Sequence, residues 1–222
     1  MRSTNVAIVG AGWAGLTAGI KLAESGGRTS IFEASHTLGG RARKITFNAL
    51  TMDNGIHLLS GAYSATLSIL DQIRTSADST NFDRQPFTFN YGSLNISKPS
   101  IPLPANKIFS FLFAGGVTVS ENLVALRCLR DIQKGKVITE QSETVHHLLT
   151  RFRQSKTLIE LLWNPICLSA LNTDCTQGCA LVFLNVISDA LLGSRKSSDL
   201  LFPTTDLTSL FPSLAERYIL TH

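Results

Sequence analysis

An α/β fold is predicted by three observations near the start of the chain: a short apolar run, a glycine cluster directly behind it, and an acid closing a second apolar run. Val6, Ala7, Ile8 and Val9 form the first run, which glycine bounds and which reads as a buried parallel strand. Gly10, Gly12 and Gly15 follow in G-x-G-x-x-G spacing. Leu16–Ser25 is compatible with a helix and ends at Gly26-Gly27, a stop signal. Thr29–Phe32 is the second strand, and it closes on Glu33, about twenty residues beyond the glycines. Strand, glycine turn, helix, strand and acid, in that order, make a Rossmann-like dinucleotide-binding unit.

Each residue type in that pattern has a chemical reason. Gly10 permits the tight turn, Gly12 lets a pyrophosphate approach the backbone with no Cβ in the way, and Gly15 lets helix and strand pack closely. The phosphates then meet a helix N-terminus, where free N–H groups and the helix dipole favour negative charge. Glu33 accepts hydrogen bonds from a ribose diol and repels a 2′-phosphate, which disfavours NADP and leaves FAD or NAD. The site read from this stretch comprises Gly10, Ala11, Gly12, Trp13, Ala14 and Gly15, with Glu33 and Ala34 at the second strand's end.

Composition narrows the function classes. The chain has 222 residues, 44% of them apolar, enough to bury a sizeable core in one or two domains. Its net charge is +4 without long basic runs, so a nucleic-acid groove is not indicated, while a slightly basic surface suits an anionic bilayer. Cys128, Cys167, Cys175 and Cys179 lack zinc-site spacing and read as small packing residues, so no metal is expected. With no secretory signal ahead of the first strand, a reducing cytoplasm is the expected location. No apolar stretch reaches the roughly twenty residues of a membrane-spanning helix.

Further along, Lys44–Met52 has an irregular apolar pattern expected to serve as a strand, and Asp53-Asn54-Gly55 is turn chemistry. Tyr63, Leu67, Leu70 and Ile73 make the stripe of an amphipathic helix. From Asn81 the character shifts, giving an expected division into residues 1–80, the nucleotide-binding part, and 81–222, a mostly helical substrate domain. Phe87–Tyr91 and Ser93–Ile96 flank Gly92 as a short hairpin, and Pro99, Pro102 and Pro104 then break regular structure. Asn106–Phe113 is apolar around most of the expected helix, so Ile101–Gly116 is read as a peripheral contact with a membrane, the inner membrane for a cytoplasmic protein. Glu121–Lys134 and Ser142–Phe152 are the next helices, the second with an incomplete capping box at Ser142 and Val145. His146 and His147 lie within it and are expected to be exposed. Thr157–Asn172 should kink at Pro165, Thr176–Leu192 is apolar on nearly every face and should be buried, and Ser213–Leu220 is the last helix. Nothing after Asn81 reads as a second βαβ unit, so the nucleotide fold is expected to be incomplete, with no C-terminal return to it.

Two sets of motifs resemble known families. Leu38-Gly39-Gly40-Arg41-Ala42 is similar to the second signature of the flavin amine oxidase and phytoene desaturase superfamily, where Gly-Gly-Arg lies beside the FAD pyrophosphate. Asp53–Tyr63, Leu161–Cys167, Ala170–Thr173 and Ser198–Pro203 resemble the bacterial hydroxysqualene dehydroxylases of hopanoid biosynthesis, over nearly the whole chain. Ile56 departs from that pattern, standing where a polar Gln is expected, and the segment that would lie along the flavin is absent, so turnover by this chain alone is not expected.

The resemblance implies FAD held also by Gly40, Arg41, Gly55, Ile56 and His57, and a reaction in which reduced FAD replaces the hydroxyl of hydroxysqualene, an isoprenoid, with hydride. Such a reaction needs a proton donor and a dry apolar site. Asp53 and His57 are the titratable candidates beside the expected flavin position, each with a plainer use as a turn-forming or packing residue. Two alternatives stand beside this reading: another flavin oxidoreductase of the superfamily, such as a carotenoid desaturase or amine oxidase, and a non-catalytic truncated remnant.

Overall fold

The computed structural model describes residues 5–75, 82–86, 88–96, 116–140, 142–193 and 196–222. They fall into two compact units: Met1–Leu59, Tyr63–Gln85 and Leu200–His222 in one, Ser60–Ala62 and Pro86–Asp199 in the other. The observed division therefore differs from a simple break between residues 80 and 81. The last 23 residues, Leu200–His222, rejoin the first unit, so the expectation of no C-terminal return is corrected.

In the first unit, β1 (Asn5–Val9) and β2 (Arg28–Phe32) pair in parallel with Val6 opposite Thr29 and Ile8 opposite Ile31. The helix between them, α1 (Trp13–Glu24), starts three residues before the expected Leu16 and stops where Gly26 takes a left-handed φ of 72°. The pair is not buried on both faces as expected. Its side chains alternate, with Val6, Ile8, Thr29 and Ile31 half-buried while Val9 is 89% and Phe32 58% exposed. The alternation follows from cover on one face only, where Ile31 packs with the core of α1.

Lys44–Met52 is a hairpin rather than one strand: β3 (Lys44–Phe47) and β4 (Leu50–Asp53) pair antiparallel around Asn48 and Ala49. Both turn residues have positive φ, 49° and 63°. That twist suits a two-residue hairpin, and alanine in a left-handed conformation is what the pattern did not announce. β5 (Leu59–Ser60) is followed by α2 (Ser64–Ile73), which buries Leu70 and Ile73 as its stripe requires. β6 (Phe82–Gln85) pairs antiparallel with β9 (Leu200–Pro203). After β9, α7 (Leu207–Leu210) and α8 (Pro212–Thr221) add Leu207, Leu210, Phe211, Leu214 and Ala215 to the buried cluster holding Ala11, Leu16 and Ile20. A Cβ at Gly19 would press on Ile31 and on Ile219 of α8, so α1 meets α8 at a glycine.

In the second unit, β7 (Phe89–Tyr91) and β8 (Leu94–Ile96) form the expected hairpin, with Gly92 at φ 57°. α3 (Val119–Gln133) begins at a full capping box, Thr118 with Glu121, a signal the sequence offered three residues before the expected start. α4 (Val145–Arg151) is capped by Thr144, whose side chain accepts from His147 N, so Ser142 is not the cap. Lys156–Leu158 leads into a π-helical turn, Ile159–Trp163, and then α5 (Asn164–Leu171). The irregularity expected at Pro165 falls in the turn before it, which puts the ring in the first turn of the next helix, where its missing N–H costs nothing. α6 (Ala180–Val186) starts later than expected and buries Ala180, Phe183 and Leu184, whereas Leu181 and Val182 are exposed. The full burial expected from its apolar composition is thus limited to one face. Another π-helical turn, Ile187–Leu191, continues it.

This unit's core centres on Trp163, fully buried with Leu149, Leu158, Leu162, Phe183 and Ile187. Cys128, Cys167 and Cys175 are buried as packing residues. His146 and His147 are exposed, and His147 Nδ1 lies 2.9 Å from Glu143 Oε1. The expected membrane-contact segment, residues 101–116, lies outside the described residues except for Gly116. Among the described residues no helix is long and apolar enough to cross a membrane.

Trp163 Nε1 donates to Gln154 Oε1 at 2.9 Å, and Gln154 is itself buried. A buried indole N–H without an acceptor costs about 1–3 kcal/mol. Gln154→Leu should lower stability by that amount in a denaturant titration, and an unchanged midpoint would show that Trp163 finds another acceptor.

Candidate dinucleotide-binding site

The glycine loop between β1 and α1 carries three glycines for three different reasons. Gly10 has φ 97°, a left-handed conformation that a side chain disfavours. A Cβ on Gly15 would collide with Gly10 O, so Gly15 is required by helix–strand packing. Gly12 is different. It is the N-cap of α1, its φ of −72° and ψ of 175° suit any residue, and the nearest atom to a Cβ there would be Gly40 Cα at 4.0 Å. Among the described residues neither φ nor a neighbour of its Cβ asks for glycine at position 12.

The loop also presents donors. Trp13 follows the bridge between Gly12 and Gly39, and Gly12 makes no side-chain cap, so the N–H groups of Ala14 and Gly15 in the first turn have no intrahelical acceptor. They sit at the positive end of the helix dipole, where an acceptor-rich anion is stabilised.

Glu33 is tied to the loop from the end of β2. Its Oε2 accepts from Ala11 N and its Oε1 from Ser35 N, both at 2.8 Å. These two hydrogen bonds, that of Ser35 first, hold the carboxyl below its ordinary pKa, with the Arg43 charge adding a smaller pull. Each oxygen keeps a lone pair for a further donor such as a sugar hydroxyl. Ala34, next along the chain, is exposed.

The Gly-Gly-Arg turn lies against the glycine loop. Gly39 N donates to Ala11 O at 2.9 Å, and a Cβ on Gly40 would come within 3.3 Å of Gly12 Cα. Trp13 Nε1 donates to Ala42 O at 3.0 Å, while its ring sits 4.7 Å from that of Phe211. Arg41 is exposed beside this contact. Gly39, Gly40 and the loop of Gly10–Gly15 are therefore brought together with Glu33, and Arg41 follows in the same turn.

The Asp53–His57 segment forms a second part of the same unit. Asp53, Gly55, Ile56 and His57 line an open cleft of about 370 Å³ with Phe202 and Pro203 of β9. Sequence patterns did not place Phe202 and Pro203 there, because the pairing of β9 with β6 is a long-range event. Asp53 Oδ1 accepts from Leu207 N at 2.8 Å and so anchors the start of α7. His57 is exposed, with Nδ1 3.2 Å from Gly55 O, and Ile56 is 94% exposed. Among the described residues no group of His, Cys, Asp and Glu is arranged to hold a metal.

Residues 8–73 match the NAD(P)-binding Rossmann-like domain family, which spans the glycine loop, Glu33, the Gly-Gly-Arg turn and the Asp53–His57 segment. The chain carries a Rossmann-like dinucleotide-binding domain. It is 29% identical to a hydroxysqualene dehydroxylase of Rhodopseudomonas palustris over 223 aligned residues, covering 96% of this chain and 50% of that protein. A hydroxysqualene dehydroxylase of Zymomonas mobilis subsp. mobilis is 51% identical over 61 residues, 26% of this chain and 15% of that one. Among solved structures, an oxidoreductase from Methanosarcina mazei superposes with a TM-score of 0.70 at 14% identity, covering 98% of this chain and 49% of the other. That likeness shows the fold, α/β with a Rossmann-like domain. The family resemblance read from the motifs is borne out, and the chain spans about half the length of the curated relative that it matches end to end.

The state of Glu33 has a pH signature. Its pKa is lowered in the folded chain from an ordinary value of 4.5. A depressed carboxyl contributes stability above its unfolded pKa and loses it as pH falls through the folded one. The stability difference between the native chain and Glu33→Gln should be constant from pH 7 down to about 4.5 and shrink below that. Acid unfolding of the two proteins measures it, and a difference that grows on acidification would contradict the assignment.

Proposed function

We propose that the chain binds FAD through the loop of Gly10–Gly15, Glu33 and Arg41, and that it serves an oxidoreductase of the flavin amine oxidase and phytoene desaturase superfamily that reduces hydroxysqualene to squalene. The observation that carries the nucleotide part is Gly12, a glycine that neither backbone conformation nor packing requires. Space kept open at a helix N-terminus with uncapped donors suits a pyrophosphate. The reaction is supported by the similarity to hydroxysqualene dehydroxylases.

The residues present fit the cofactor's chemistry. The first-turn N–H groups of α1 and the Arg41 guanidinium would hold the pyrophosphate, and Glu33 would accept from the ribose diol. Reduced FAD, when bound, supplies the hydride. Within the cleft, Ile56, Phe202 and Pro203 offer apolar surface that limits water around an isoprenoid chain. The leaving hydroxyl needs a proton to depart as water. We assign that proton to the His57 imidazole, because Asp53 is already used by Leu207 N while the His57 ring is exposed in the same cleft. Peripheral membrane contact through residues 101–116 suits a lipid-dissolved substrate, and its support is the apolar sequence there.

Gly12→Val tests the cofactor reading, since a Cβ there would meet nothing in the chain closer than Gly40 Cα at 4.0 Å and would stand in the path of a pyrophosphate. Flavin affinity, followed by absorbance after reconstitution, should fall at least about ten-fold, more than 1.4 kcal/mol, with little change in melting temperature. Wild-type flavin content in Gly12→Val would overturn it. For the reaction, anaerobic incubation of a complete form, one that carries the segment expected along the flavin, with reduced flavin and hydroxysqualene should give squalene bearing deuterium from a flavin labelled at N5, read by mass. Product lacking that label, with exchange into solvent excluded, counts against direct transfer, and desaturation of a carotenoid without dehydroxylation moves the chain to the alternative activity.

A further inference from the structure

Three consecutive carbonyls of the Gly-Gly-Arg turn are engaged by donors. Arg41 O accepts from Asn54 Nδ2 at 3.0 Å, Ala42 O from Trp13 Nε1 at 3.0 Å, and Arg43 O from Asn54 N at 2.8 Å. Two of these donors are side chains from elements distant in sequence, one on the first turn of α1 and one in the turn after β4. Trp13 is further fixed by its contact with Phe211, and Asn54 by its own backbone hydrogen bond to Arg43 O.

The arrangement matters because a peptide is a dipole. An anion is attracted to its N–H end and repelled by its C=O end, so a turn that abuts an anion site is favourable only when its carbonyls are satisfied elsewhere. Gly39 and Gly40 take φ of 107° and 61°, and with no side chains of their own they tie the turn to the glycine loop through the backbone, Gly39 N donating to Ala11 O. Its internal hydrogen bond, Ala42 N to Gly39 O at 3.2 Å, involves neither Arg41 O nor Ala42 O. The side chains of Trp13 and Asn54 supply what the glycines do not.

We propose that Trp13 and Asn54 are positioning residues for the pyrophosphate of the bound nucleotide: by holding the carbonyls of Ala42 and Arg41, they keep the turn's negative ends engaged and the Arg41 side chain beside the glycine loop. This rests on the nucleotide reading above and extends it to two residues outside the G-x-G-x-x-G motif, one of them, Asn54, outside the set read from the sequence. Neither touches the reacting atoms.

The test compares ADP, which carries the pyrophosphate, with adenosine, which does not, in calorimetric titrations of the native chain, Trp13→Phe and Asn54→Leu. Phe keeps a ring against Phe211 while removing the indole N–H, and Leu matches the size of Asn at an exposed site. Each variant should weaken ADP about five- to ten-fold, the size of one lost hydrogen bond to a carbonyl, with adenosine held within about two-fold. A general loss of structure would weaken both ligands, so the ratio separates positioning from folding, and melting temperatures check it independently. ADP affinity unchanged in Asn54→Leu, or ADP and adenosine weakened alike in both variants, would overturn the inference. Should Trp13→Phe fail to fold, Asn54→Leu carries the comparison alone. A native chain that binds neither ADP nor FAD rejects the nucleotide reading itself, a result separate from a failure of the two variants.

Discussion

The peptide of Ala11 is the junction on which the first unit depends. Its N–H is held by the Glu33 carboxylate and its carbonyl by Gly39 N, while the residue is almost fully buried at 1% exposure. Three segments meet there: the loop after β1, the end of β2 and the Gly-Gly-Arg turn. A buried residue must satisfy its backbone N–H and its C=O, and here each group recruits a different piece of chain. The consequence is that the glycine loop, the acid and the second glycine pair cannot move independently. The close approach of Gly12 and Gly40 follows from the same junction, because a side chain on Gly40 would press on the backbone that Ala11 holds.

Much of this was legible because the decisive residues act locally. G-x-G-x-x-G between an apolar run and a helix, then an acid at the end of the next strand, describes a contiguous stretch whose geometry is set by a few φ values and a helix terminus. The Gly92 hairpin and the stripe of α2 were legible for the same reason. What the sequence concealed was long-range or unusual. The return of Leu200–His222 depends on Leu210, Phe211 and Leu214 finding the face of α1 far earlier in the chain, which no local period announces. The hairpin at Asn48-Ala49 needs positive φ at an alanine, a conformation that costs about 1 kcal/mol or more and so is a poor expectation. Thr118 and Glu121 did carry a readable cap, one turn ahead of where the apolar period drew attention. The exposed Leu181 and Val182 show the limit of composition: an apolar helix surface reports a tendency to be covered, and the cover is set by neighbours.

The cleft residues separate by what else they do. Asp53 and His57 have equal claims in the sequence, four residues apart around a turn. In the structure Asp53 is committed to the N–H of Leu207, and that bond ties the β3–β4 hairpin to α7, with Lys44 N donating to Thr208 Oγ1 at 2.9 Å and Lys44 Nζ lying 3.6 Å from Asp206. Removing the Asp53 carboxylate would release that helix start, so a loss of activity in an Asp53 variant speaks first about folding. His57 has its ring nitrogen beside Gly55 O and is exposed, so it carries no such duty to a helix start. Ile56, in place of the polar residue the resemblance led one to expect, makes the same wall more apolar and leaves a hydrophobic side chain exposed there.

Charge at Glu33 is the physical basis of the proposed nucleotide selectivity. Both carboxylate oxygens already accept backbone N–H groups, which favours the ionised form and keeps the carboxyl depressed. A neutral ribose diol donates to the remaining lone pairs at no electrostatic cost. A 2′-phosphate would bring a second anion to the same place, and the usual escape, protonation of the carboxylate, is opposed by those same two hydrogen bonds. Arg43 is close enough to add to the depression, but its Nη1 is occupied by Ser35 Oγ and Thr37 O within the loop after β2. The guanidinium therefore braces the loop that carries Glu33. The proposed preference for a diol-bearing dinucleotide would rest on the same bonds that hold Ala11 in place, so the fold's junction and that proposed selection share one carboxylate.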